Sequence, residues 1–347
     1  MVSVIVLNWN YARYLAAAVE GALDQDYPHT EVLVVDDGST DSSRALLERY
    51  RARASVIFQD NGGHTVAGQT GLRSSQGDIV MFLDSDDILY PTAVSRVVAA
   101  WRPGCAKVQF RLSLIDASGK RFGADPPWTV PLPSGDLVPQ LHDTGRYQTP
   151  VTSGNAYPRK LLEQLFPVPS DFVFVDGYLN TVAPFYVPII SIDDELGGYR
   201  RHDQNYSAYA AGVDAGRLRQ RVQHELVKER YQRATAASRG HSFPPGLLMR
   251  DPEHLMHRLG LLRLDPGQPA ALDDTRRKLL RAMLLALWRD QQLPAFDKAY
   301  QGGVALAVAA LPLSAARATL AFALGGGRRP AWLRKLARAL RRSGEVV

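Results

Sequence analysis

The stretch IVMFLDSDDILYP, Ile79–Pro91, decides the reading of the fold. Five apolar residues, Ile79–Leu83, run directly into Asp84, Asp86 and Asp87. A short apolar run that ends in polar turn residues reads as a strand buried on both faces. The three carboxylates then sit on the loop that leaves it. Bunched carboxylates repel one another and make poor core residues, so their grouping calls for an offsetting partner.

Upstream, the same strand signal occurs three times. VSVIVLN (Val2–Asn8), TEVLVVDDGSTD (Thr30–Asp41) and ASVIFQD (Ala54–Asp60) read as strands that end in polar residues. Between them, Tyr14–Gln25, SSRALLERYRAR (Ser42–Arg53) and Val66–Gly77 carry helical spacing, the second helix capped by one of Ser39, Thr40 or Asp41. Alternating strands and helices predict a mainly parallel sheet with helices on both faces. Ligands of such sheets bind outside the carboxyl ends of the strands. Asn8, Asp36–Asp37, Asp60–Asn61 and Asp84–Asp87 all fall there. Four strands that deliver polar residues to one edge weigh more than any single motif.

Beyond Pro91 the pattern loosens. A helix over Thr92–Trp101 and a strand over Ala106–Asp116 are expected, and the Pro- and Gly-containing stretch Gly123–Pro150 reads as an excursion over the sheet. After Tyr206 the chain turns helical, most clearly in LRQRVQHELVKERYQRAT and DDTRRKLLRAMLLALWRDQ. A chain of 347 residues with 46% hydrophobic residues can bury a large core, and its single cysteine, Cys105, excludes an internal disulfide. The single cysteine suits a reducing compartment, and the opening MVSVIVLNWN lacks the basic region and cleavage site of a secretory leader. The net charge of +6 is concentrated toward the C-terminus.

An Asp-x-Asp after a strand suits a hard divalent cation, Mg²⁺ or Mn²⁺, held by one or two carboxylates together with substrate phosphates. Taken alone, the same motif is more simply an Asp-rich turn that caps the next helix. Here the other edge residues reverse that preference. VIVLNWNYARYL, VLVVDDGSTDSS, NGGHTVAGQTGL and GDIVMFLDSDD follow one another in the order and spacing of glycosyltransferase family 2, the inverting GT-A enzymes. SGNAYPRKLL, DGYLNTVAP and LGGYRRHDQN then resemble the family's acceptor side. The resemblance covers residues 2–207 and stops before the C-terminal helices. It implies a GT-A catalytic domain over 1–207, followed by a mostly helical region over 208–347.

The resemblance assigns roles residue by residue. Asn8, Asp36, Asp37, Asn61, Asp84 and Asp86 would line the nucleotide and donor site, with Asp36 or Asp37 near the base. Asp86 and His202, in YRRHDQN, would reach the metal. Asp176, in FVDGYL, stands at the family's catalytic base, with Val175 where an acid pair is often found. Its plainer reading is an acid at a helix start, stabilised by the macrodipole. Gln69 stands where the family usually has Asn, Asn155 is placed beside the sugar, and Arg200 or Arg201 could meet phosphate.

Inverting transfer is a single displacement at C1. It needs a carboxylate to take the acceptor's hydroxyl proton and a cation to neutralise the leaving diphosphate. The expected donor is a nucleotide-sugar, a UDP-sugar first. The expected acceptor is a hydroxyl, lipid-linked or on a polysaccharide. Two other readings compete. A metal-dependent nucleotidyltransferase would also use carboxylates on an α/β sheet, but VLNWNYARYL lacks its Gly-rich basic phosphate loop. A catalytically silent carbohydrate-binding or scaffold protein would have no need of Asp84, Asp86, Asp176 and His202 together.

Residues 304–324 are broken by Pro312, Ser314 and Arg317, which argues against a membrane span. The tail 328–347 follows. In it Trp332, Leu333, Leu336 and Leu340 share one helical face, among Arg334, Lys335, Arg338, Arg341 and Arg342. That pattern suits a peripheral helix on an anionic membrane, expected at the inner, cytoplasmic face. It equally suits a solvated helix packed on the body or on a partner. No nucleic-acid motif is present, and nucleic acid is not an expected partner.

Overall fold

The structure is a computed structural model that describes residues 1–102, 107–126, 132–186, 188–202, 213–271, 273–290 and 293–324. Cys105 and the basic tail 328–347 lie outside the described residues. The chain divides into two compact units. The first comprises Met1–His142, Tyr147–Arg201 and Arg230–Phe243; the second comprises Asp143–Arg146, His202–Glu229 and Pro244–Val347.

The first unit is built on one sheet. Its strands are β1 (Val2–Asn8), β2 (Thr30–Asp37), β3 (Ser55–Gln59), β4 (Ile79–Asp84), β5 (Ile88–Leu89), β6 (Lys107–Ile115), β7 (Arg121–Asp125), β8 (Asn155–Pro158) and β9 (Ile189–Arg200). They follow the order β3-β2-β1-β4-β8-β6-β9-β5, with β7 paired to β6. The first four strands are parallel, as the alternation of strands and helices requires. Beyond them the sheet is mixed, because β8 runs antiparallel to both β4 and β6, while β6 and β9 are parallel.

Side-chain alternation explains the continuous apolar runs. On β1, Val2, Val4 and Val6 join one core layer, while Ile5 and Leu7 join the layer on the opposite face. On β4, Ile79, Met81 and Leu83 divide from Val80 and Phe82 in the same way. A strand covered on both faces takes apolar side chains at most positions, and a buried polar one such as Ser3 needs a partner, here Glu31. Helices α1 (Ala12–Leu23) and α4 (Ala93–Ala100) cover the first face. Helices α3 (His64–Ser74), α6 (Arg159–Leu165) and α7 (Val175–Val182) cover the second. The helix expected over Ser42–Arg53 is shorter: α2 spans only Ser43–Leu47 and passes into a 3₁₀ turn at Glu48–Tyr50. Helix α5 (Val138–Thr144) lies within the excursion 123–150.

Next come α8 (Ala215–Ser238), α9 (Pro252–Leu264), α10 (Arg276–Arg289), α11 (Ala295–Ala310) and α12 (Leu313–Leu324). The second unit packs Leu218, Leu255, Leu259, Met283, Leu287, Val308 and Leu320 into its own core. Asp251 caps α9 by accepting from Glu253 N–H, with Pro252 in the first turn, and Thr275 caps α10 by accepting from Lys278 N–H. Pro312 separates α11 from α12, and no described helix is long and apolar enough to cross a membrane.

Candidate active site

The chain leaves β1 for β2 and β3 on one side and returns to β4 on the other. The carboxyl edge beside β1 is therefore the topological switch point, where open α/β sheets bind ligands. Register places Asn8 level with Asp36 and Leu7 level with Asp84. Polar residues distant in sequence thus meet on one edge.

Asn8 is buried. Its Nδ2 donates to Asp36 Oδ2 at 2.8 Å and to Ser39 Oγ at 3.1 Å, while its Oδ1 is buried without a hydrogen-bond partner. Asp36 also accepts from Ser39 N–H and Arg44 Nε. Asp37 accepts from Gln59 Nε2 and from the N–H groups of Gly62 and Gly63. Direct contact with a nucleotide base needs an exposed oxygen, and Asp36 is 0% and Asp37 3% exposed. Both carboxylates instead hold the loops of this edge in shape. Asn61, by contrast, is exposed on the turn that Asp37 anchors. Gly38, at φ +74°, lets this turn approach, since a Cβ there would lie 2.6 Å from Asn61 N. Asn10, at φ +59°, accepts from the N–H groups of Thr40 and Asp41 and ties the first loop to the second.

The aspartates after β4 divide their work. Asp87 is buried: it accepts from Ser153 Oγ at 2.6 Å and from Arg200 N–H at 2.9 Å. Burial, then the charges of Asp86 and Asp84, push its carboxyl well above the usual range. Arg200 donates to the carbonyl oxygens of Asp86, Asp116 and Ala117, with its guanidinium over the Tyr14 ring. It is thus a buried brace for the aspartate loop rather than the phosphate contact expected from the sequence. Asn155 is likewise corrected. It is 0% exposed, with Oδ1 accepting from Lys107 and Nδ2 donating to Val151 O, so it does not border a sugar.

Asp84 and the largely buried Asp86, 8% exposed, stand at the edge itself. Asp84 keeps 26% of its side chain exposed, and its Oδ1 lies 2.8 Å from His64 Nε2. The negative field of the loop reaches Tyr11, whose hydroxyl is pushed up by burial and then by Asp86, Asp84 and Asp87. Burial and like charge thus act together at this loop, pushing up both the Asp87 carboxyl and the Tyr11 hydroxyl.

His64 is the residue that motif reading missed. It opens α3, and its Nδ1 accepts from Val175 N–H at 3.3 Å. Val175 begins α7, and Asp176 is the next residue. Gly68 permits the close approach of the two helices, since a Cβ there would meet Val175 Cγ1 at 2.8 Å. One imidazole therefore joins the carboxyl edge of the sheet to the helix that carries Asp176. Burial disfavours protonation of the ring, but Asp84, Asp176 and Asp86 outweigh it and raise its pKa. The bond from Val175 fixes Nδ1 as an acceptor, so this geometry belongs to the neutral ring with its hydrogen on Nε2, donated to Asp84.

Lys107 braces α7 from below. It is fully buried, and its Nζ donates to Thr149 Oγ1 (2.8 Å), Asn155 Oδ1 (2.9 Å) and Asn180 Oδ1 (2.7 Å). Burial pulls the amine well below its ordinary pKa, and the negative charge of Asp176 opposes that. Three oxygens match the three N–H bonds of an ammonium, so the cradle is built for the charged form. Asp171, the other acid near α7, accepts from Arg230 and Tyr231. His202 is the first residue of the second unit's stretch His202–Glu229, and residues 203–205 of its motif lie outside the described residues.

The family model described as "Glycosyl transferase family 2" matches residues 3–166. An uncharacterized glycosyltransferase of Nostoc sp. is 35% identical over 221 residues, 61% of this chain and 68% of that one. The chain belongs to glycosyltransferase family 2. Its sheet flanked by helices, with a helical C-terminal region, is the GT-A type arrangement expected of the family. A glycosyltransferase named for teichuronic acid biosynthesis, TuaG of Bacillus subtilis, is 42% identical over 91 residues, 25% of this chain and 36% of that one. The family 2 chain therefore spans about two thirds of the Nostoc relative and about a third of TuaG. Among solved structures, residues 1–349 of S. aureus TarS in complex with UDP-GlcNAc align with a TM-score of 0.48 at 17% identity, covering 94% of this chain and 92% of that one. Asp176 and His202 both lie beyond the segment matched by the family model.

Proposed function

We propose that this family 2 glycosyltransferase moves a sugar from a nucleoside-diphosphate sugar to a hydroxyl acceptor with inversion at C1. The observation that carries the reading is the pair Asp84 and Asp86 at the switch point, joined through His64 to the start of the helix bearing Asp176. Donor edge and base are thereby parts of one construction.

Among the described residues, no group of three or more His, Cys, Asp or Glu could hold a metal ion by itself. The edge nonetheless offers hard oxygen donors in a strongly negative field. Asp84 and Asp86 fit Mg²⁺ or Mn²⁺ provided that the donor diphosphate and water complete the shell. His202 is assigned to the same ion on its sequence motif. Bound there, the cation would neutralise charge on the leaving diphosphate.

The protein's own residues do the rest. Asp36 and Asp37 hold the loops that form the nucleotide edge, and the exposed Asn61 faces it from the turn. Asp176, in the first turn of α7, accepts the acceptor's hydroxyl proton as the C1–oxygen bond forms. The helix terminus favours its ionised form.

A thermal-shift screen of nucleoside diphosphates, with and without Mn²⁺, tests the reading. A ligand that binds only the native state raises its apparent stability. A metal-dependent rise in the wild type that is lost in Asp86→Ala, with the unliganded midpoint unchanged, is expected. An undiminished metal-dependent rise in Asp86→Ala would remove that residue from the site.

A further inference from the structure

Helix α10 has two apolar faces. Leu279, Met283, Ala286 and Leu287 form one, and they are buried in the core of the second unit. Leu284, Leu285 and Trp288 belong to the other, and they are 43%, 44% and 77% exposed. Leu280, Leu284 and Leu285 line a common groove with Arg277 and Arg281. Positions 277, 280, 281, 284, 285 and 288 share one helical face. On the neighbouring α11, Gly302 abuts Leu284 and Leu287, and Leu306, one turn further along, is 48% exposed. A helix with leucine on both sides is ordinarily buried on both, so the outer face is built for a partner.

Charge decides which partner. Helix α10 carries Arg276, Arg277, Lys278, Arg281 and Arg289 and no acidic residue. Lys278 pairs with Asp273 and Arg276 donates to Ala309 O, while among the described residues no carboxylate pairs with Arg277 or Arg281. The chain's own residues 325–347 hold seven basic side chains and one acidic one, and so cannot neutralise this face. A second copy docked about a twofold axis would bring two sets of basic side chains, with no acidic residue on either helix, into one interface. A surface of leucines with an exposed tryptophan, edged by arginines that can extend their guanidinium groups outward, fits the boundary between headgroups and acyl chains.

We propose that the outer face of α10, centred on Leu284, Trp288, Arg277 and Arg281, docks on an anionic lipid bilayer. It is a contact on the folded second unit, separate from the tail 328–347, and it holds the enzyme reversibly, since it supplies one partly buried face and no span.

The full chain is tested by co-sedimentation with phosphatidylcholine vesicles, with and without phosphatidylglycerol. Binding should require the anionic lipid and fall with salt. The double variants Leu284→Ser/Trp288→Ser and Arg277→Glu/Arg281→Glu should each lower the partition coefficient about tenfold or more, the first by removing apolar burial and the second by reversing charge. A readout that needs no disruptive change is quenching of tryptophan fluorescence by brominated lipid in the wild type, diminished in Trp288→Phe. Both double variants sedimenting as the wild type does, with quenching unaltered in Trp288→Phe, would overturn the proposal and leave binding to another surface. No sedimentation of the wild type would overturn it equally and give the face to a protein partner.

Discussion

His64 Nε2 lies 2.8 Å from Asp84 Oδ1. Because Nδ1 of the same ring accepts from Val175 N–H, the pair is more than a local contact between a helix start and a strand end. It fixes the distance between the donor edge and α7.

Replacing His64 with Ala should therefore act on two steps at once. Asp84 would lose its donor, and Val175 N–H would lose its acceptor. The stability cost is about 1–3 kcal/mol, the range for a buried polar group left without its partner. Donor affinity and kcat should both fall, whereas a purely structural role would lower the midpoint of unfolding alone. Titration of donor binding beside steady-state kinetics distinguishes the two.

Lys107→Met keeps much of the volume but removes the donor shared by Thr149, Asn155 and Asn180. Orphaned acceptors in a buried cradle should cost about 2–4 kcal/mol. Urea unfolding should show a lower midpoint. Transfer should fall while donor affinity changes little, because Asn180 lies one turn from Asp176 on α7.

The second unit holds an acid-sensitive element. Glu225 accepts from His254 Nδ1 at 2.6 Å and from His257 Nδ1 at 2.8 Å. Burial raises its pKa, but these bonds and charges prevail and lower it from the ordinary 4.5 to about 2. A depressed carboxylate contributes stability above its unfolded pKa and loses it as pH falls through the folded value. The contribution, roughly 3 kcal/mol, should thus vanish between about pH 4.5 and 2. Glu225→Gln should flatten the stability profile across that window. An unchanged slope in chemical denaturation at stepped pH would show that Glu225 is not the titrating group.

The four parallel strands were legible because burial on both faces leaves continuous apolar runs, each ending where polar side chains can reach solvent. The clustering of Asn8, Asp36, Asp37 and Asp84 followed from chain order alone. Strand β6 lies where a strand was expected, over Ala106–Asp116, but the burial of its polar face was harder to read. Lys107, Gln109, Arg111 and Ser113 alternate with Val108, Phe110 and Leu112, a pattern that looks half-exposed, yet all seven are buried. Distant groups, including Asn180, Ser191, Asp193 and Glu195, meet most of the polar face, while Gln109 Oε1 is buried without a partner. His64 was invisible for the same reason: its partner Val175 is 111 residues away. Periodicity reports the solvent side of an element, not which tertiary partner replaces the solvent.

The central claim is that Asp176 takes the acceptor's proton in a donor site completed by Asp84 and Asp86. The most direct measurement is the transfer rate of Asp176→Asn with donor affinity determined on the same preparation. Asparagine keeps the shape and cannot accept the proton. Donor affinity should stay at the wild-type value while transfer falls by roughly 10²–10⁴-fold, the usual share of general-base catalysis. Transfer at a near-normal rate by this variant would contradict the account.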